Sequence, residues 1–183
     1  MKRKIFTTQS DFAEIRKAGA VYVDKTKQIY DSMGGDKYYF LARPRRFGKS
    51  LLCSTLRELF LGNKKLFKGL WIEKSDWQWQ EHPVIHLNMT LAAGDSNTVE
   101  TMTDALSNQL KDVAKKYSVK VNFSQSVANV FERLVVALHE KTGKGVVVII
   151  DEYDKPILDL VNKSEMRKEI HSQLRDFYAP LKA

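Results

Sequence analysis

Hydrophobic and polar positions along this chain follow two periods. Tyr38-Tyr39-Phe40-Leu41-Ala42, Pro83-Val84-Ile85-His86-Leu87-Asn88-Met89 and Val146-Val147-Val148-Ile149-Ile150 are nearly continuous apolar runs. Runs of this kind, apolar on both faces, are what buried parallel strands present. Between them apolar residues recur at helical spacing. Leu51, Leu52, Thr55, Leu56, Leu59 and Phe60 predict a helix that ends at Gly62-Asn63. Val99, Met102, Leu106, Leu110, Val113 and Tyr117 trace one face of a long helix, with Ser96 or Asn97 as its cap. Val127, Val130, Phe131, Leu134 and Leu138 predict a helix over 124–141, and Met166, Ile170, Leu174 and Phe177 a last one over 165–181.

Ahead of the first apolar run, residues 11–17 read as a short helix capped by Ser10. Residues 20–23 read as a brief strand and 25–33 as a helix, before Gly34-Gly35-Asp36 breaks the pattern. Phe67, Leu70, Trp71, Trp77 and Trp79 mark 64–80 as a packed connection over an aromatic core, in preference to a base-stacking platform. Strands alternating with helices imply an α/β fold with a mostly parallel sheet. There is no internal repeat, low-complexity tract or clear linker. The expectation is one domain, with 1–36 as a lead-in and 37–183 as its core.

Composition narrows the class. The chain has 183 residues, 43% of them hydrophobic, enough for a real core. One cysteine, Cys53, allows no disulfide within the chain, so a reducing, cytoplasmic setting is expected. The charged N-terminus is not followed by an apolar signal segment, and no apolar run approaches membrane-spanning length. The net charge is +8. A basic surface suits nucleotides, nucleic acid or anionic membrane. The lysines are dispersed and no aromatic-interleaved basic motif supports nucleic acid, so a locally basic nucleotide pocket is the preferred reading. His82 and His86 could share a strand face, but lack companions for a metal site.

The chemistry concentrates in two places. The first is Arg43-Pro44-Arg45-Arg46-Phe47-Gly48-Lys49-Ser50, between an apolar run and a helical pattern. Strand, loop with Gly-Lys-Ser, then helix is the layout of a phosphate-binding loop. The first N–H groups of a helix lack partners and carry partial positive charge, so a phosphate placed there collects them. Gly48 lets backbone approach an oxygen without a Cβ in the way. Lys49 would reach the β- and γ-phosphates, and Ser50 would offer its hydroxyl to Mg²⁺. The candidate nucleotide-binding set is Arg45, Arg46, Phe47, Gly48, Lys49, Ser50 and Leu51. Arg43 stands where the first glycine of the motif belongs, and Pro44 has no N–H to give. Taken alone, the stretch could also be a basic turn that contains Gly-Lys-Ser.

The second place is Asp151-Glu152, at the end of the third apolar run. Asp151 would hold Mg²⁺ through its water shell, and Glu152 would orient the attacking water or take its proton. Parallel α/β sheets place ligands at the carboxyl ends of their strands, where both motifs fall. A carboxylate pair capping the next helix is the alternative for the second motif by itself.

Together with Tyr22-Val23-Asp24-Lys25-Thr26, Leu66-Phe67-Lys68-Gly69-Leu70-Trp71-Ile72 and Asp154-Lys155-Pro156, these motifs resemble the bacterial AAA-ATPase-like proteins associated with PD-(D/E)XK nucleases. The resemblance covers nearly all of the chain. It implies a three-layer P-loop NTPase sandwich, ATP and Mg²⁺ as ligands, and the Arg-Pro-Arg-Arg loop as that family's usual form. Lys49 and Ser50 take the Walker A role, Asp151 and Glu152 the Walker B role. The resemblance also implies a C-terminal nuclease-like domain in the full-length protein, whose signature this sequence lacks. It further implies a central strand after the last helix, carrying a polar sensor residue, so the chain reads as truncated before that strand. ATP binding with weak or no hydrolysis is therefore expected. The alternative is a non-hydrolysing nucleotide- or nucleic-acid-binding scaffold.

Overall fold

The computed structural model describes residues 4–6, 8–33, 35, 37–44, 46–93, 98–158, 160 and 164–182. The chain divides into two compact units, Met1–Glu81 and His82–Ala183.

In the first unit, α1 (Phe12–Lys17) and α2 (Thr26–Ser32) pack with α3 (Lys49–Phe60) and two 3₁₀ turns, Lys64–Phe67 and Trp71–Lys74. Phe12, Leu59, Phe67 and Ile72 are fully buried and form its core with Ile29 and Leu70. Phe12 lies 4.7 Å from Phe67, and Phe67 lies 5.2 Å from Trp79, ring centre to ring centre. Phe67, Leu70, Trp77 and Trp79 thus belong to a core beneath a connection, as their spacing predicts, whereas Trp71 is 40% exposed.

Polar groups tie the unit together. The cap of α1 is Asp11, whose carboxylate accepts from Glu14 N, and not Ser10. Asp11 also pairs with Arg57 of α3 at 2.7 Å, and Arg57 donates to Glu58 at 2.9 Å. The buried Ser54 hydroxyl accepts from Phe12 N at 2.9 Å and lies 2.8 Å from the Ser10 carbonyl, to which it can donate. Asp24 accepts from Thr26 N and Oγ1 and from Trp71 N, while Thr26 Oγ1 accepts from Ile72 N. Two of the resembling motifs, around Asp24 and Trp71, are therefore one interlocked structural joint.

Two expected strands of this unit do not form. Residues 20–23 are irregular, held by a Val21 N–H donating to the Lys4 carbonyl. Residues 38–42 join no sheet, and Tyr38 and Phe40 are 63% and 71% exposed. An apolar run becomes a strand only where a second backbone edge supplies hydrogen bonds, and here none of the described strands does.

The second unit contains the sheet. Strand β1 (Val84–Asn88) pairs in parallel with β2 (Val147–Asp151), in the register Val84 to Val147 through Asn88 to Asp151. The expected helices appear as α5 (Val99–Lys116), α6 (Val127–Thr142) and α8 (Ser164–Tyr178). Two four-residue helices that periodicity does not predict, α4 (Met89–Ala92) and α7 (Lys155–Leu158), follow the two strands. Thr98, not Ser96 or Asn97, caps α5, in a reciprocal pair with Thr101; Ser96 and Asn97 lie outside the described residues. Helix α6 ends on Gly143 at φ 65°, which glycine adopts without strain. Leu106, Leu110, Phe131, Leu134, Ile170 and Phe177 are among the residues that bury the helix faces against Ile85 and Leu87. Phe131 stacks on Phe177 at 4.9 Å. Among the described residues the architecture is mixed α/β with a two-stranded parallel sheet.

Asp11, ion-paired with Arg57, and Asp24, hydrogen-bonded to Thr26 and Trp71, link the stability of the first unit to acid pH. Burial pushes Asp11 up, but the Arg57 hydrogen bond, Glu14 N–H and Arg57 charge outweigh it and hold the carboxyl below the ordinary 3.8. Burial likewise opposes, and the Trp71 and Thr26 donors prevail, in lowering Asp24. A depressed folded-state value stabilises above the unfolded one, and that stability fades as pH falls through the folded value. All three tryptophans, Trp71, Trp77 and Trp79, lie in this unit, so their fluorescence reports on it alone. The tryptophan-detected melting temperature should fall as pH drops below about 4. The double substitution Asp11→Asn with Asp24→Asn should flatten that slope; an unchanged slope would show that these contacts do not set it.

Candidate functional site

The phosphate-loop segment belongs to the first unit and the acid pair to the second. In the first, the chain reaches α3 through a left-handed turn, with Arg46 at φ 66° and Gly48 at φ 76°. Gly48 is the residue before the helix, and its carbonyl accepts from Leu52 N at 2.9 Å. Lys49, Ser50 and Leu51 therefore form the first helical turn, where N–H groups have no partner within the helix. Glycine takes the left-handed conformation without a Cβ penalty, which explains Gly48. Arg46 takes it with a side chain, a conformation that costs on the order of 1–2 kcal/mol for an L-residue.

The Lys49 ammonium donates to the Arg43 carbonyl at 3.2 Å and approaches the Pro44 carbonyl at 3.5 Å. It curls over its own loop, onto two backbone carbonyl oxygens. Arg43, Arg46 and Phe47 are exposed, and Lys49 is exposed less. Arg45 lies outside the described residues. The Ser54 and Arg57 contacts hold α3 to the start of α1, and Lys49, Ser50 and Leu51 at the helix start are half-buried. The first unit carries 17 of the 30 basic residues but only 9 of the 22 acidic ones, so the whole +8 belongs to it.

In the second unit, β2 delivers Asp151 to its carboxyl end, 6% exposed. Glu152 follows at φ 55°, and the chain turns so that Lys155 N donates to the Glu152 carbonyl at 2.9 Å. The Asp154 carbonyl then accepts from Ile157 N and Leu158 N, starting α7. Glu152 is half-buried and Tyr153 is exposed. Burial first, then the charges of Asp154 and Tyr153, push the Tyr178 phenol up, so it stays neutral.

Sequence reasoning missed Asn88, which the register sets beside Asp151 at the end of β1. Its carboxamide oxygen accepts from Thr90 N at 2.9 Å. Gln109 of α5 holds its backbone from the other side. The only signal in the sequence was a polar residue at the end of an apolar run. Among the described residues no three His, Cys, Asp or Glu side chains cluster as a metal site, and His82 bonds the Gly145 carbonyl at 2.9 Å. No helix among them is long and apolar enough to cross a membrane.

Comparison with known proteins places these motifs in context. Residues 7–183 match the family model described as predicted AAA-ATPase. The chain is 37% identical over 173 residues to an uncharacterized protein in the vnfD 5′ region of Azotobacter chroococcum mcd 1. The match covers 93% of this chain and 33% of that protein, so the chain spans about a third of its relative's length. No solved structure matches.

The left-handed backbone at Glu152 makes a stability test. Glu152→Gly should leave the melting temperature unchanged or raise it. Glu152→Val, β-branched at a positive φ, should cost about 1–2 kcal/mol relative to the glycine variant. Thermal denaturation followed by far-ultraviolet circular dichroism checks this; equal stabilities would show that the turn is not left-handed in solution.

Proposed function

Because the chain belongs to the predicted AAA-ATPase family, we propose that it is a module that binds ATP with Mg²⁺. The observation that carries this reading is the start of α3: a left-handed glycine, then Lys49 and Ser50 in the first turn, with the ammonium resting on loop carbonyls. Those N–H groups and the ammonium are the donors that a β- or γ-phosphate needs. The Lys49 bond is already charge-assisted by its ammonium, and exchanging the neutral carbonyl for a phosphate oxygen adds an anionic partner to that cation. The concentration of positive charge in the first unit supports the same ligand.

In this reading Lys49 holds the β- and γ-phosphates and the N–H groups of residues 47–51 cradle them. Arg45 and Arg46 supplement the loop, whose Pro44 lacks a donor. The Ser50 hydroxyl of the first unit and the Asp151 carboxylate of the second are each proposed as a Mg²⁺ ligand, since each offers the hard oxygen that this ion takes alongside waters and phosphate oxygens. When bound, Mg²⁺ would neutralise charge on the phosphates. Glu152 orients the water, and its carboxylate is the proton acceptor. Hydrolysis by this chain alone is weak in this proposal, since charge stabilisation at the γ-phosphate needs further groups. The longer protein's nuclease-like domain remains part of the same proposal.

Two measurements test it. Lys49→Ala should abolish calorimetric binding of ATP·Mg²⁺ while leaving the circular dichroism spectrum unchanged; retained affinity would refute the phosphate-loop assignment. Arg45→Ala and Arg46→Ala should each weaken ATP more than AMP, because the extra phosphates are their targets. Equal losses on both nucleotides would remove the arginines from phosphate contact.

A further inference from the structure

The side of β1 that faces away from β2 is completed by side chains of α5 and the residue that ends it. The Val147 N–H donates to the Pro83 carbonyl at 2.9 Å, so strand alternation turns Val84, His86 and Asn88 away from β2. At one end of that outer edge, Val84 N–H donates to the Tyr117 hydroxyl at 2.9 Å. At the other, the Gln109 carboxamide makes a two-point pair with one residue. Asn88 N–H donates to Gln109 Oε1 at 2.8 Å, and Gln109 Nε2 donates to the Asn88 carbonyl at 3.2 Å. A neighbouring strand would offer this same donor and acceptor; here a single side chain supplies both.

We infer that Gln109 is a positioning residue for the acid pair at the end of β2. Asn88 is in register with Asp151, and Glu152 follows directly. Clamping both backbone groups of Asn88 fixes the strand end against which Asp151 is aligned. Gln109 can do this because its own helix does not move freely: Leu106 and Leu110, three residues before it and one after, are fully buried. Its consequence for nucleotide rests on the reading of Asp151 and Glu152 proposed above; its mechanical part does not. Tyr117 supplies an internal control. It bonds the same edge of the same strand, four residues and about 13 Å further from Asp151.

The experiment uses the full chain carrying Gln109→Leu, Gln109→Met or Tyr117→Phe. Leucine and methionine both lose the paired hydrogen bonds at similar volume, so a packing defect peculiar to one is recognisable. Backbone hydrogen exchange is followed in the protein without nucleotide, and ATP affinity is measured with and without Mg²⁺. Both Gln109 variants should speed exchange at Asp151 and Glu152 about five- to tenfold. They should weaken ATP·Mg²⁺ more than Mg²⁺-free ATP. Tyr117→Phe should speed exchange near Val84 and leave Asp151, Glu152 and the Mg²⁺-dependent affinity alone. Unchanged exchange at Asp151 and Glu152, or an equal effect of Tyr117→Phe there, would overturn the inference. Absent binding of ATP·Mg²⁺ to the unsubstituted chain would refute the nucleotide reading instead, and the exchange comparison would still decide the role of Gln109.

Discussion

The parallel pairing of β1 with β2 is the constraint on which the second unit depends. Five residues on each strand align Val84 with Val147 and Asn88 with Asp151. That register buries Ile85, Leu87 and Ile149 and gives α5, α6 and α8 a surface to cover. It also decides where the polar strand ends fall. A slip by one residue would turn every side chain to the opposite face and carry Asp151 out of line with Asn88.

The first unit rests on a different kind of contact. Its described residues form no strand, and side chains hold its backbone: Ser54 on Phe12, Asp24 on Trp71, and Thr26 on Ile72. Each bond contributes only about 1 kcal/mol, but they converge on segments more than 40 residues apart. The Ser54–Phe12 and Thr26–Ile72 bonds are buried, whereas the Asp24–Trp71 bond is exposed. Ser54 and Arg57 in turn anchor α3 to the start of α1.

The two candidate motifs share one backbone feature. Arg46, Gly48 and Glu152 all have positive φ. Only one of the three is glycine, so two residues keep a side chain in a conformation that disfavours it. Such positions persist when surrounding structure dictates them, and they concentrate where a side chain must be aimed. Trp79 and Ser118, outside both motifs, have positive φ as well, so the conformation marks tight turns and not these motifs alone.

Much of the helical structure was determined by the sequence itself. The periodicity of α3, α5, α6 and α8 is set by which residues prefer to leave water, a local property of the chain. The Gly-Lys-Ser motif and the Asp-Glu pair could be read from the sequence as candidates, since each needs fixed residue types at fixed spacing. The tertiary structure decided what depends on partners. Residues 38–42 are as apolar as a strand requires, yet take no place in the sheet, because pairing needs an opposing edge that composition does not encode. Asp11 in place of Ser10 and Thr98 in place of Ser96 or Asn97 were settled by which side chain met the open N–H groups. Asn88 and Gln109 were invisible as a pair, because 21 residues separate them and only the packing of α5 on β1 brings the amide to the strand end.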